Sequence, residues 1–384
     1  MTCCSPLLLL ATAIATTQGS SQAPPPIALT GVAATAPEAF SLIKGLRELS
    51  DGRILVTDWI EERLAVIDFG NGTVVDLGSV GAGPKEFRLP DRLVALSGDS
   101  TLLIDIGNGR LMVIDPALRF TRTISVREHG QDYSMTPRAA DADGALYFQL
   151  SPWWGGFEAG RKDSVPIGRW SPGGPVQMVG GTVLKASSSR GPGRSVGIPY
   201  IPFAKQDGWA AFFDGHVAIV RSDPYRVEWY PPDGAPIIGA SIAYAPRLVT
   251  REDRRAHVRA FLMGAAQSGR GEDGGMGHVT ADQQSTKEID RIANEATFAE
   301  EFPPFVPGGV WAARDGLLWV QQSLPVGSSP TFDVFDRSST RIATVTLPLG
   351  RTVIGFGTAT LYTVVADADD LLTIERYRIP VLAG

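Results

Sequence analysis

The sequence echoes itself at a spacing of 47 residues: the run DGRILVTDWIEERLAVID beginning at Asp51 returns as GDSTLLIDIGNGRLMVID beginning at Gly98. The segments ahead of these runs match as well. LTGVAATAPEAFSLIKGLREL over residues 29–49 aligns, after one gap, with LGSVGAGPKEFRLPDRLVAL over residues 77–96. Each copy consists of short aliphatic and β-branched runs punctuated by Gly and Asp turns. A β-rich unit of this length is too small to bury its own apolar face, and stacking copies around an axis is what buries it. The period therefore points to a blade-by-blade β-propeller.

The Asp-Gly turn between the first two strands of a blade counts the copies. It stands at Asp51-Gly52, Gly98-Asp99, Asp143-Gly144, Asp214-Gly215 and Asp315-Gly316, and in degenerate form at Gly357-Thr358. A β run follows each turn: ILVTD, LLID, LYFQL, VAIVR, LLWVQ and LYTVV. A second run then follows: RLAVID, RLMVID, IGRWSP, RVEWYPPDG, FDVFDR and LTIERYRI. Six copies predict an all-β, six-bladed propeller with four short antiparallel strands per blade. The sixth copy ends at Ile379-Pro380 without room for its outermost strand. Residues 28–32 align with residues 75–80, the outermost strand of blade 1, and are expected to complete blade 6 and close the ring at its N-terminal end.

Residues 7–16, LLLLATAIAT, form an apolar stretch too short to span a bilayer, followed by small residues and Pro24-Pro25-Pro26. This reads as a signal peptide over residues 1–23, although no Lys or Arg precedes the apolar run, and it leaves a propeller over residues 27–384. The expected location is secreted or periplasmic. Both cysteines, Cys3 and Cys4, fall within the signal. A mature chain without cysteine has no disulfide framework, thiol nucleophile or Cys-based zinc site. The net charge of −6 and the absence of any basic stripe argue against nucleic acid as a partner. No transmembrane segment is expected in the mature chain.

The run from Asp51, DGRILVTDWIEERLAVID, with GAGPKEFRLP after it, resembles the NHL-type six-bladed propellers of bacterial secreted proteins. The resemblance extends over nearly all of residues 27–380, is clearest in blades 1 and 2, and thins to hydrophobic pattern in blades 3, 5 and 6. It implies the fold. The group contains ligand-binding modules, lactonases and lyases, so what it implies about activity is a choice among these. Lactonase-type members bind calcium through Glu, Asn and Asp on inner strands. Here the mature-chain asparagines are Asn71, Asn108 and Asn294, the first two in turns, which departs from that pattern. No cofactor is identified, and calcium or zinc stays open.

Repetition discounts several motifs. Asp58 and Arg63 recur as Asp105 and Arg110, facing each other across a hairpin, and are expected to staple it rather than to catalyse. The stretch Gly81-Ala82-Gly83-Pro84-Lys85-Glu86-Phe87 invites a phosphate-loop reading, but a strand, not a helix, is expected after it near Pro90. Its N-terminal copy keeps only the phenylalanine, Phe40, expected to plug the space between blades. The four histidines, His129, His216, His257 and His278, show no metal-ligand spacing. No G-x-S-x-G elbow occurs.

The period breaks at residues 127–138, 151–166, 182–203 and 246–307. These are all links from a fourth to a first strand or loops from a second to a third, so all emerge on one face of a propeller. Long loops on a rigid scaffold are where binding concentrates. The last break predicts a helical insertion between blades 4 and 5, about residues 249–302. Thr250 would cap its first helix, with Val258, Phe261, Leu262 and Ala265 on one stripe. Ser285 and Glu288 would box the second, with Ile289, Ile292, Ala293 and Ala296 on its stripe. The Gly-rich link over residues 268–277 leaves a docked pair or a movable lid open. In the blade-3 loop, Trp153 and Trp154 precede Arg161 and Lys162, and form either a stacking platform or a hydrophobic anchor. With His129, Arg190, Arg194 and Tyr200 they make the candidate ligand-binding set. The expected function is a binding module for a protein, peptide or carbohydrate, acting through the loop-rich face over the central channel. The competing reading is a hydrolase or lyase at the channel mouth, possibly metal-dependent. A third is an interaction scaffold whose partner sits on the helical insertion.

Overall fold

The computed structural model describes residues 26–125, 136–150, 164–183, 201–267 and 286–382. Six sheets of at least four strands follow one another along the chain. Blade 1 runs Ile43–Glu48, Ile54–Asp58, Arg63–Asp68 and Thr73–Asp76, each strand antiparallel to the last. Blades 2 to 5 repeat this order from inner strands Pro90–Ala95, Ala139–Ala140, Gly208–Ala211 and Phe305–Ala312. Blade 6 begins with Thr352–Phe356. Its fourth strand is Val32–Phe40 from the N-terminal end, antiparallel to Leu372–Arg378.

Ring closure is visible in the core itself. Because successive side chains of a strand point to opposite faces, a middle strand feeds two blade interfaces at once. Ile54 and Val56 pack toward blade 6, whereas Leu55 between them packs toward blade 2. Burial on both faces explains why such strands read as unbroken apolar runs rather than as alternating ones. Apolar clusters fill all six interfaces: blades 1–2, 2–3, 3–4, 4–5, 5–6 and 6–1. The two repeated phenylalanines lie in equivalent places. Phe87 is buried between blades 1 and 2, and Phe40 between blades 6 and 1.

The N-terminal strand differs in detail from the sequence expectation. Residues 28–32 do not form the closing strand; Val32–Phe40 does, and Ile27–Ala28 instead adds a short parallel strand to the outer edge of blade 5. The aligned repeat placed the strand early because the gap in the alignment falls where Val32–Phe40 is bulged, with register shifts at Val32/Ala34 and Thr35/Ala39.

Inner strands of neighbouring blades approach very closely at glycines. A Cβ on Gly45 would lie 2.7 Å from the Asp91 carbonyl oxygen and 2.8 Å from the Leu93 nitrogen. One on Gly208 would lie 2.5 Å from Val310 Cγ2 and 2.9 Å from the Pro307 carbonyl oxygen. Since backbone cannot rotate aside, Gly45→Ala is expected to cost about 1–3 kcal/mol through forced separation of blades 1 and 2. Urea denaturation measures this, and wild-type stability in the variant would show that the two strands are not in such contact.

The helical insertion contains α1 (Arg251–Gln267) and α2 (Thr286–Glu295). Thr250 caps α1 in a reciprocal box: its hydroxyl accepts from the Asp253 N–H (3.2 Å), and the Asp253 carboxylate accepts from the Thr250 N–H (2.9 Å). The other Asp253 oxygen accepts from the Val326 N–H (2.8 Å), so the same side chain pins the helix to the long loop of blade 5. Val258, Ile289 and Ala293 form a small core of their own. Phe261 and Ala296, both expected on the buried stripes, are exposed, and α2 ends one residue before Ala296. Phe203 docks the pair to the propeller, ringed by His257, Phe298 and Phe302. Among the described residues, no helix is long and apolar enough to cross a membrane.

The hairpin staples are two different devices. Arg110 does pair with the fully buried Asp105 (2.8 Å), and its guanidinium also bonds the carbonyl oxygens of Ala82, Gly83 and Glu86. The Gly-rich loop is thus held by a scaffold arginine, with a strand following at Pro90. In blade 1 the expected Asp58–Arg63 pair is not made. Asp58 accepts backbone N–H bonds from Ser41, Leu42, Ile60 and Glu61, and Arg63 turns to Glu38 and Asp76. The N-terminal strand supplies Glu38, where the aligned segment ahead of blade 2 carries Lys85.

Candidate functional site

All six residues singled out from the sequence, His129, Trp153, Trp154, Arg190, Arg194 and Tyr200, lie outside the described residues, as do the signal segment and the Gly-rich link. Of the histidines, His257 packs against Phe203 and Phe298, where burial pulls its pKa below the ordinary value. His216 sits beside Asp214 on the Asp-Gly turn of blade 4. Among the described residues, no three His, Cys, Asp or Glu side chains gather as a group that would hold a metal ion.

Two features of the loop-rich face carry chemistry. The first is a cavity of about 150 Å³ between blades 4 and 5. Its floor is Tyr225 at the start of the third strand of blade 4, with Gln322, Asp333 and Arg341 from blade 5. Its roof is the link to the helical insertion, Tyr244 and Arg247 on one side and Phe302 to Pro304 on the other. Asp333, almost wholly buried, accepts from Gln322 Nε2 (3.0 Å) and Thr344 Oγ1 (3.2 Å), with Arg341 Nη1 at 3.4 Å. Burial, helped by the Asp333 charge, pushes the Tyr225 phenol well above its ordinary pKa, so it stays a donor. The Tyr225 and Tyr244 rings meet edge to face at 6.3 Å. Aromatic edges with convergent guanidinium, amide and hydroxyl groups suit a small polar molecule.

The second feature is the lining of the channel at its loop-rich end. Lys44 is the extra residue of a bulge between Ile43 and Gly45, and Asp91 and Arg92 occupy a second bulge in the inner strand of blade 2. Bulges re-aim side chains at the rims of such folds. Arg138 enters the inner strand of blade 3 and lies over the Trp209 ring of blade 4 at 5.1 Å. Burial pulls the Arg138 pKa down to about 10, and the nearby Arg92 charge adds to this. Arg138 is nonetheless solvent-exposed, the combination expected of a side chain that is surrounded by protein yet faces an open channel. Burial pushes the Asp91 carboxyl above the usual carboxylate range, and Arg92 and Lys44 offset this only in part.

Lys44, Asp91 and Arg92 lie within the repeat, which reads as scaffold, and Arg138 is the last residue of the break over residues 127–138, where the sequence names no partner for it. A signal was present: the two clearest copies disagree in charge at four aligned inner-strand pairs, Lys44/Asp91, Gly45/Arg92, Arg47/Val94 and Glu48/Ala95, and Lys44/Asp91 is the one where the sign reverses.

Fold and site together define a six-bladed β-propeller with an asymmetric, loop-bearing face. No known family model and none of the curated proteins matches the chain. Solved propeller structures do. The calcium-binding protein regucalcin from Agrobacterium tumefaciens is 12% identical, with 93% of this chain and 99% of that one covered at a TM-score of 0.41. A gluconolactonase from Xanthomonas campestris is 13% identical, with 90% and 92% covered at 0.43. Virginiamycin B lyase from Staphylococcus aureus is 12% identical, with 90% and 83% covered at 0.39. The likeness is one of fold.

Proposed function

We propose that the protein is a secreted or periplasmic propeller of the NHL type that acts as a binding module through its loop-rich face. The observation that carries this reading is the cavity between blades 4 and 5. It exists because the link to the helical insertion roofs over blade 5, and polar and aromatic groups of both blades converge in it. Thermal melting with glucuronate, glucose and glutamate as probes tests it. At least one is expected to raise the melting temperature by a few degrees at a concentration about 100-fold above its Kd, and Tyr244→Ala to abolish the shift. No shift with any of the three, or a shift that survives in Tyr244→Ala, overturns the cavity as the site. A shift of several degrees with calcium or zinc instead would overturn the plain binding-module reading.

A second reading, a hydrolase or lyase at the channel mouth, is favoured by one residue. Asp91, its carboxyl raised by burial and flanked by Lys44 and Arg92, has the environment of a general acid or base. Turnover of lactones or aryl esters that Asp91→Asn abolishes would establish this reading over the first.

A further inference from the structure

The charge on the inner strands is divided between two halves of the ring. Blades 1 to 3 contribute IKGLRE, PDRLVA and Arg138 ahead of Ala139–Ala140. Blades 4 to 6 contribute GWAA, FVPGGVWA and TVIGF, which contain no charged residue, and the charges just ahead of the first and last of these, Asp207 and Arg351, are paired with Arg221 and Glu375. Within the charged half, two groups are spent on joining blades. Arg47 binds Asp99 and Thr101 of blade 2, and Glu48 accepts from the Thr358 N–H and the Tyr362 hydroxyl of blade 6. Lys44, Arg92 and Arg138 remain toward the loop-rich end. Among the described residues none of the three forms an ion pair, and Arg138 has only its stacking on Trp209 and a 3.5 Å contact with Gln149. Lys44 has the Trp59 ring at 5.7 Å. Among the described residues, the carboxylate beside Lys44 and Arg92 is Asp91.

Lys44 and Arg92 stand beside Asp91, and Arg138 near Arg92, so cations outnumber carboxylates here although the formal charge of the chain is −6. Two guanidiniums held in mutual repulsion, in surroundings drier than water, favour an anion between them, because its charge replaces the missing counter-ion. At the equivalent bulges of blades 5 and 6 the inner strands carry Val306, Pro307 and Ile354, half-buried and uncharged, so the remainder of such a ligand meets apolar surface. We propose that the loop-rich end of the channel is a second binding site, separate from the cavity, for an organic carboxylate with an apolar or aromatic body: Lys44, Arg92 and Arg138 take the carboxylate, and the inner strands of blades 5 and 6 take the body.

Calorimetry with phenylacetate, hexanoate and indole-3-acetate, against the neutral phenylacetamide and the bodiless acetate, tests this on the full chain. At least one of the three apolar carboxylates is expected to bind one to one, with phenylacetamide and acetate each about 10-fold weaker or more. Arg92→Gln and Arg138→Gln are each expected to weaken it by about 10-fold or more, with unchanged melting temperature in the absence of ligand confirming that the variants fold. Higher salt should weaken binding as well. Arg247→Gln, in the cavity, should leave it unchanged, so failure of the cavity reading and failure of the channel site give different results. The proposal is overturned if none of the three carboxylates binds up to about 10 mM, the concentration of a barely useful site. It is equally overturned if phenylacetamide binds as well as phenylacetate, or if both arginine variants bind like wild type.

Discussion

Removal of residues 1–40 is expected to leave a chain that does not fold to a closed ring, whereas removal of residues 1–31 leaves a folded, less stable one. The longer deletion takes away Val32–Phe40, the fourth strand of blade 6, together with Ala36 and Phe40 from the cluster between blades 6 and 1. Loss of a buried phenylalanine side chain alone costs about 3–5 kcal/mol, and the strand pairing with Leu372–Arg378 is lost in addition. Against a net stability of about 5–15 kcal/mol for a typical domain, that is enough to unfold the protein. It would also expose Leu372–Arg378 as an unpaired edge, a template for aggregation. The shorter deletion removes the two-residue parallel strand and the buried Leu29. Circular dichroism and light scattering on the two truncations decide the matter. A soluble, cooperatively melting chain that begins at residue 41 would show that the N-terminal strand does not close the ring.

Replacement of Arg221 by Ala should be the most damaging single substitution among the charged residues of the propeller. Arg221 spans the Asp207 and Glu228 carboxylates (2.8 and 2.7 Å) and bonds the Gly181 carbonyl oxygen (2.7 Å), tying blade 4 to the outer strand of blade 3. Both carboxylates are nearly fully buried. Stripping the cation from a buried pair costs about 3–5 kcal/mol, because the acids left behind keep their desolvation penalty. The pH dependence follows from Glu228. Burial pushes its carboxyl up, but hydrogen bonds from Arg221 and Arg226 outweigh this and hold it below the usual range. In the wild-type protein this contribution is complete above the unfolded value of about 4.3 and is lost as pH falls through the lower folded value. Without Arg221 the balance tips toward burial, the folded carboxyl rises, and protonation becomes favourable to folding. The deficit of Arg221→Ala should therefore shrink between neutral pH and about pH 4. Urea denaturation of both proteins at pH 7 and pH 4.5 measures it. A deficit that is constant with pH would show that the carboxylates do not depend on Arg221.

The repeats made the blade number readable because each Asp-Gly turn and each doubly buried middle strand is dictated locally. Gly52, Gly144, Gly215 and Gly316 all adopt positive φ, the conformation that requires glycine at such turns. The Asp105–Arg110 staple was readable for the same reason, since its partners are five residues apart across one hairpin. Asp58 misled because its carboxylate is taken up by the N–H groups of Ser41, Leu42, Ile60 and Glu61, while Glu38 on the closing strand and Asp76 draw Arg63 away. Phe261 misled because an amphipathic stripe is drawn for a helix buried along one whole side, and among the described residues α1 docks through its first half, by Asp253, His257 and Val258.

By itself, then, the sequence determined what short-range chemistry determines: turn positions, strand periods, six blades, and an N-terminal segment that must come home to the last of them. What only tertiary structure decided is which side chains share a space. Lys44, Asp91, Arg92, Arg138 and Trp209 come from four blades, and Tyr225, Tyr244 and Asp333 from two blades and an insertion. Their spacings in the chain carry no mark of these meetings, because a ring brings residues together by closing and not by period.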